Sequence, residues 1–290
     1  MSQRDTPIVH QRRLRGELRK LREAARITQK QVAEQLEWSV SKVIRIENGT
    51  SKVGVTDLKA LLNVYGVTSS DEIDPLLDEA RASRKSVWWT PYRPHIDPQL
   101  YVFIGYEASA VRICQYQALA MPGLIQTRDY TRALVSGFGD SRTEIDRGID
   151  IRAKRQGIVT EGGPELRFII DEAVLLRFVG DPEIMIEQWE KILEKAKLSN
   201  VSVRVLPLRP RDAKAHRGMR GSFSLLDLPG DDGHVLVLEE PLRDVMVRDD
   251  QQDIDKYVEA FAVLQELAMN EEDSVERIEQ LISETRFLLQ

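Results

Sequence analysis

The chain has 290 residues, 42% of them apolar, one cysteine and a net charge of −6. That length allows two domains, a single cysteine (Cys114) excludes an intramolecular disulfide, and no apolar run approaches the roughly eighteen residues of a membrane span. The charge is unevenly spread: residues 1–65 hold 13 Lys and Arg against 7 Asp and Glu, a balance of +6, and the remainder carries −12. A basic head on an acidic body predicts that only the head meets phosphate. No signal-peptide pattern opens the chain, so a cytoplasmic protein is expected.

In chain order, residues 1–11 are polar and read as a frayed end. Residues 12–25 form an amphipathic helix with Leu14, Leu18, Leu21 and Ala25 on one side and six cations on the other. Thr28 and Gln31 then form a capping box, with Val32, Ala33 and Leu36 at helical spacing. Glu37-Trp38-Ser39 is a turn. Ser39 caps a third helix that runs to about Glu47, with Val43 and Ile46 inward and Val40, Ser41, Lys42, Ile44 and Arg45 outward. Asn48-Gly49 ends it, glycine suiting a left-handed position. Helices over 55–65 and 71–84 complete an all-helical head, residues 1–84.

Residues 85–99 read as a linker, although Trp88, Trp89 and Tyr92 are too apolar for a free tether and should pack on a domain or line a pocket mouth. The second domain, 100–290, begins with an expected helix over 106–119. A turn at 121–127 leads to a helix capped by Thr127, and a charged helix covers 143–158. A strand at 166–170, a helix from Asp181-Pro182, strands at 201–206, 222–228, 234–239 and 243–247, and helices at 252–269 and 273–288 follow. The fold class is therefore α+β: a five-helix head, then a mixed helical domain with a small, mainly antiparallel sheet.

Residues 27–49 resemble the helix-turn-helix of the Cro/repressor type (XRE family), whose pattern is Leu-Thr-Gln-x-x-Leu-Ala-x-x-Leu-Gly-x-Ser-x-x-x-Ile-x-x-Ile-Glu-x-Gly. The likeness covers about residues 12–66, with Glu37 where the family usually has glycine. The resemblance implies that Gln29 and the first amides of its helix hold a phosphate. It also implies that Val40, Ser41 and Arg45 read bases, with Lys42 at a base or the backbone, and that Asn48 and Lys52 meet phosphate. With the capping residues, the expected DNA contacts are Thr28, Gln29, Ser39, Val40, Ser41, Lys42, Arg45, Asn48 and Lys52. Ile44 reads a thymine methyl or packs under the linker. Family members dimerise, so a homodimer on double-stranded DNA is expected.

The stretch Met-Pro-Gly-Leu-Ile-Gln-Thr-Arg-Asp-Tyr-Thr-Arg-Ala-Leu (121–134) resembles the signature of a domain of unknown function. That domain follows such heads in actinobacterial regulators, including WhiJ-like proteins. Arg-x-x-Arg-Gln at 152–156, Asp-Glu-Ala-x-Leu at 171–175, Asn-Val-x-Val-x-Val-Leu-Pro at 200–207, and His216 with Gly-Ser-Phe at 221–223 add to the likeness. It implies a regulator, antitoxin-like in some members, encoded beside a small partner protein. Trp88, Trp89, Met121, Pro122, Gly123 and His216 are the candidates for a small-molecule effector or partner site, although 121–127 also reads as a plain helix-to-helix turn and 214–221 as a surface loop. An enzyme fused to a DNA-binding head has the least support: there is no His-Glu-x-x-His, Gly-x-Ser-x-Gly or P-loop. His10, His95, His216, His234 and Cys114 are too scattered for a metal site. No cofactor is expected.

Overall fold

A proline at the first helical position starts the first helix of the head, α1 (Pro7–Ala24), where its fixed φ and missing N–H cost nothing. The computed structural model describes residues 5–137, 141–209, 218–239 and 245–290. Residues 7–11, expected to fray, are instead the first turns of α1. Ile8 and Val9 are buried there, and His10 Nδ1 lies 2.7 Å from Glu79 Oε2.

Helices α2 (Gln29–Gln35), α3 (Val40–Glu47), α4 (Val55–Val64) and α5 (Ser70–Ala82) follow. Leu14, Leu18, Val32, Val43, Ile46, Leu58, Leu61, Leu62, Leu77 and Ala80 form one core among the five helices. Each large apolar side chain contributes roughly 1.5–3 kcal/mol on burial. A 3₁₀ turn, Thr90–His95, comes after α5. Before it Trp89 is 3% exposed, and Trp88 sets its ring edge-on to Trp89 at 5.3 Å and to Tyr92 at 6.3 Å. Of these aromatic residues Trp89 is packed inside, Tyr92 is half-buried, and Trp88 remains 36% exposed. By packing, the chain divides into Met1–Ile96 with Pro229–Asp232, and Asp97–Leu228 with Gly233–Gln290.

The second unit is built on six strands: β1 (Arg112–Gln117), β2 (Glu165–Asp171), β3 (Val201–Leu206), β4 (Phe223–Asp227), β5 (His234–Glu239) and β6 (Val245–Arg248), in the order β3-β2-β1-β4-β5-β6. The first three are parallel, and β4, β5 and β6 add antiparallel. Parallel strands need crossovers, here made by α7 (Arg128–Ser136), α8 (Arg142–Arg155), α9 (Glu172–Leu176) and α10 (Pro182–Lys195). On one sheet face Tyr116, Ile169, Phe223, Leu225 and Leu236 pack against Ile254, Ala260, Phe261 and Leu264 of α11 (Gln251–Leu267). The last helix is α12 (Glu271–Leu288).

The fold is α+β, with one element misread from sequence. The expected helix over 106–119 is α6 (Pro98–Ser109) followed by β1. Ala110 turns extended, and the chain enters the sheet with Ile113, Gln115 and Gln117 buried on one face. Inward glutamines disguise the strand's alternation; both donate to Glu239 Oε1, at 3.1 and 2.7 Å.

Candidate nucleic-acid interface

The outward face of α3 rests on a turn held by backbone hydrogen bonds. At the end of α2, Trp38 N–H donates to Ala33 C=O (2.9 Å) and Glu37 N–H to Glu34 C=O (3.3 Å). This is a Schellman closure, and it places Glu37 at φ 54° in the left-handed region. Glutamate thus occupies a position that suits glycine, at an energetic cost.

Both helices are capped as their sequences require. Thr28 Oγ1 accepts from Gln31 N–H while Gln31 Oε1 accepts from Thr28 N–H. Ser39 Oγ accepts from Lys42 N–H at 3.2 Å. Thr28 and Ser39 therefore use their hydroxyl oxygens to fix helix ends. The carboxyl end of α3 is held from α1: Arg15 Nη1 donates to Asn48 C=O (3.2 Å) and Gln11 Nε2 to Gly49 C=O (2.6 Å).

Inside the motif lies a polar knot. Glu47, 3% exposed, accepts from Arg22 Nε at 2.7 Å and from Gln29 Nε2 at 2.9 Å, with Tyr65 Oη at 3.5 Å. Desolvation and the Glu47 charge hold the Tyr65 hydroxyl above the ordinary tyrosine range. The knot joins α1, α2, α3 and the end of α4. Sequence reading placed Arg22 on the solvated face and so missed it. The signal was positional: Arg22 follows Leu18 by four and Glu47 follows Val43 by four, so both fall on core stripes.

The expected contact residues separate under this geometry. Ser41, Arg45 and Asn48 are exposed, and Val40 and Ile44 are 40% and 37% exposed. Ile44 thus faces outward alongside Val40, Ser41 and Arg45. No carboxylate among the described residues pairs with Arg45. Lys42 is engaged already: its Nζ lies 3.0 Å from Asp57 Oδ2 and 3.5 Å from the centre of the Trp38 ring. Gln29 gives one amide hydrogen to Glu47 and retains a second. Lys52 is half-buried in the loop after α3.

The candidate effector residues fall in both units. Trp88 and Trp89 belong to the first unit and Met121, Pro122 and Gly123 to the second. Met121 and Pro122 are buried and Gly123 is half-buried. The signature stretch is a hydrogen-bonded knot. Gln126 Nε2 donates to Met121 C=O, Arg152 Nη1 to Gln126 Oε1, Gln156 Nε2 to Gly123 C=O, and Gln188 Nε2 to Ile125 C=O. Two of its anchors, Arg152 and Gln156, come from the Arg-x-x-Arg-Gln motif. Arg155 of that motif binds Glu107 through two nitrogens, at 2.8 and 2.7 Å. His216 lies outside the described residues. A cleft of about 470 Å³ opens elsewhere, over Arg167, Ser202, Arg204 and Gln265. Two of its polar groups are committed: Ser202 Oγ donates to Glu271 and Arg204 Nε to Met269 C=O.

Two short capped helices across a tight turn, the second with an exposed polar face, are the architecture of a helix-turn-helix DNA-binding regulator. Among known families, a helix-turn-helix domain matches residues 13–76, and Domain of unknown function (DUF5753) matches residues 100–280. The chain belongs to the DUF5753 family, with a helix-turn-helix head. No curated protein and no solved structure matches it. No helix among the described residues is long and apolar enough to cross a membrane.

Proposed function

We propose that this protein is a sequence-specific transcription regulator of the Cro/repressor type, which lays α3 in the major groove of duplex DNA as a homodimer. The observation that carries the reading is Arg45. It is exposed on a rigid, capped helix beside Val40, Ser41 and Ile44, and no acidic partner occupies it among the described residues. A free guanidinium there can donate two hydrogen bonds to guanine O6 and N7, and Val40 and Ile44 can meet thymine methyls. Gln29, oriented by Glu47, directs its second amide hydrogen at a phosphate beside the first turn of α2.

One small head neutralises few phosphates, and pairing two heads on half-sites about 34 Å apart supplies the rest. Phe287 and Leu288, 77% and 81% exposed at the end of α12, suit self-association. The C-terminal domain receives the signal, a small partner protein or effector. Selection of the full-length protein on a randomised duplex library tests the reading. An enriched inverted repeat with half-sites one turn apart is expected, and salt-sensitive binding without enrichment overturns it.

A further inference from the structure

Around Lys52, one of the expected contact residues, the head gathers further positive charge that sequence reading did not assign to DNA. Lys52 is half-buried in the loop after α3. The Arg84 guanidinium, from just past α5, lies against the same loop: its Nη1 is 3.4 Å from where a side chain on Gly54 would begin. Arg93, in the 3₁₀ turn, adds its charge to the field at Lys52. Burial first, then Arg93 and Arg84, draw the Lys52 ammonium below its ordinary pKa.

No carboxylate among the described residues pairs with Lys52 or Arg84. Of the acids in α5, Asp71 and Glu72 lie at its other end, and Glu79, near its close, sits 2.7 Å from His10 Nδ1. Arg81, one turn before Arg84, is neutralised by Asp78 at 2.8 Å. Lys52 and Arg84, held close with no counter-charge between them, repel one another and cost stability. A polyanion relieves that repulsion.

We propose that Lys52, Arg84 and Arg93 form one phosphate-binding site, extending the DNA interface from the helix-turn-helix onto the segment that follows its fifth helix. The occupant is the backbone of the duplex flanking the bases read by α3, so the site rests on the DNA-binding reading above. It carries no sequence information. It adds affinity and salt dependence, and it makes residues 84–93 part of the interface rather than a passive connection.

The test is fluorescence anisotropy of the full-length protein on a selected duplex and a scrambled one, from about 50 to 200 mM salt, the range over which phosphate contacts dominate the salt response. For Arg84→Gln with Arg93→Gln, the slope of log K against log salt should become shallower by about 0.9 for each phosphate no longer neutralised, equally on both duplexes. Arg81→Gln should leave it unchanged. Arg84→Lys with Arg93→Lys keeps the charges and should keep the wild-type slope, which separates charge from any packing role. Wild-type protein that binds no duplex overturns the DNA-binding reading itself. Wild-type binding with an unchanged slope in the glutamine pair, or an equally shallow slope in the lysine pair, overturns this site alone.

Discussion

Gln29 Nε2 donates to Glu47 Oε2 at 2.9 Å, tying the first residue of α2 to the last residue of α3. The same carboxylate pairs with Arg22, whose side chain is 13% exposed. The angle between the two helices of the motif is thus set partly through one buried anion. Glu47→Ala removes the buried partner of Arg22 Nε and leaves Glu23 Oε1, at 3.6 Å, as its one carboxylate among the described residues. The loss should therefore approach about 3 kcal/mol, the low end for breaking a buried pair from one side. Urea unfolding followed by tryptophan emission should show a transition at clearly lower urea. Gln29→Ala should cost far less stability while weakening DNA binding. If it leaves affinity unchanged, the phosphate role of Gln29 is wrong.

Much of this head is legible in its sequence, because caps and period coincide. Thr28, Ser39 and Gly49 mark the ends of α2 and α3, and the apolar residues between them fall at three and four. What escapes is anything that depends on a distant partner. Gln115 and Gln117 face inward because Glu239, more than a hundred residues on, awaits them; without that knowledge β1 reads as a helix. Arg22 reads as one more solvated cation because its partner is 25 residues away. The stretch around residue 121 reads both as a turn and as a candidate site wall, and its hydrogen bonds to the Gln126 and Gln156 side chains, the second from a residue 33 positions on, are not legible in the sequence.

The left-handed Glu37 gives a second prediction. At φ 54° a side chain with a Cβ is strained where glycine is not, by up to about 1 kcal/mol. Glu37→Gly should therefore raise the urea midpoint, even though glycine adds freedom to the unfolded chain. Glu34→Gly, inside α2, should lower the midpoint through a stability loss of about 1 kcal/mol. Equal destabilisation by both would show that the turn is not strained in solution.

Arg45 provides the sharpest functional contrast with Arg84. Arg45→Ala should relax preference at one base position by about 1–3 kcal/mol and leave the others intact. The profile to compare is the selected-library motif of the variant against the wild type. A motif of unchanged shape with uniformly weaker binding would reassign Arg45 to phosphate.

Cys114 stands on β1, where burial pushes its thiol up to about 11. Only about one molecule in a thousand then carries the thiolate at pH 8, and the thiolate is the nucleophile. Iodoacetamide should leave native protein unmodified at pH 8 over minutes, yet label it fully in denaturant. Rapid native labelling would mean that the β1–β4 face opens readily.

Glu239 sits at the end of β5 between two glutamine amides, and burial raises its pKa although Gln117, Gln115, Arg155 and Arg152 all favour the anion. Desolvation wins over these four. A carboxyl raised on folding contributes fully while the unfolded carboxyl is also protonated, below about pH 4.3. Its contribution is lost as pH climbs from there through the folded value, because the native state holds a proton that the unfolded chain has released. Glu239→Gln keeps an oxygen for Gln115 and Gln117 and removes the titration. The variant should match wild type at pH 4 and exceed it at pH 7.5, the difference in Tm opening with pH. If the two curves run parallel, Glu239 is ionised in the native protein across that range, and the arginines rather than desolvation control the centre of the sheet.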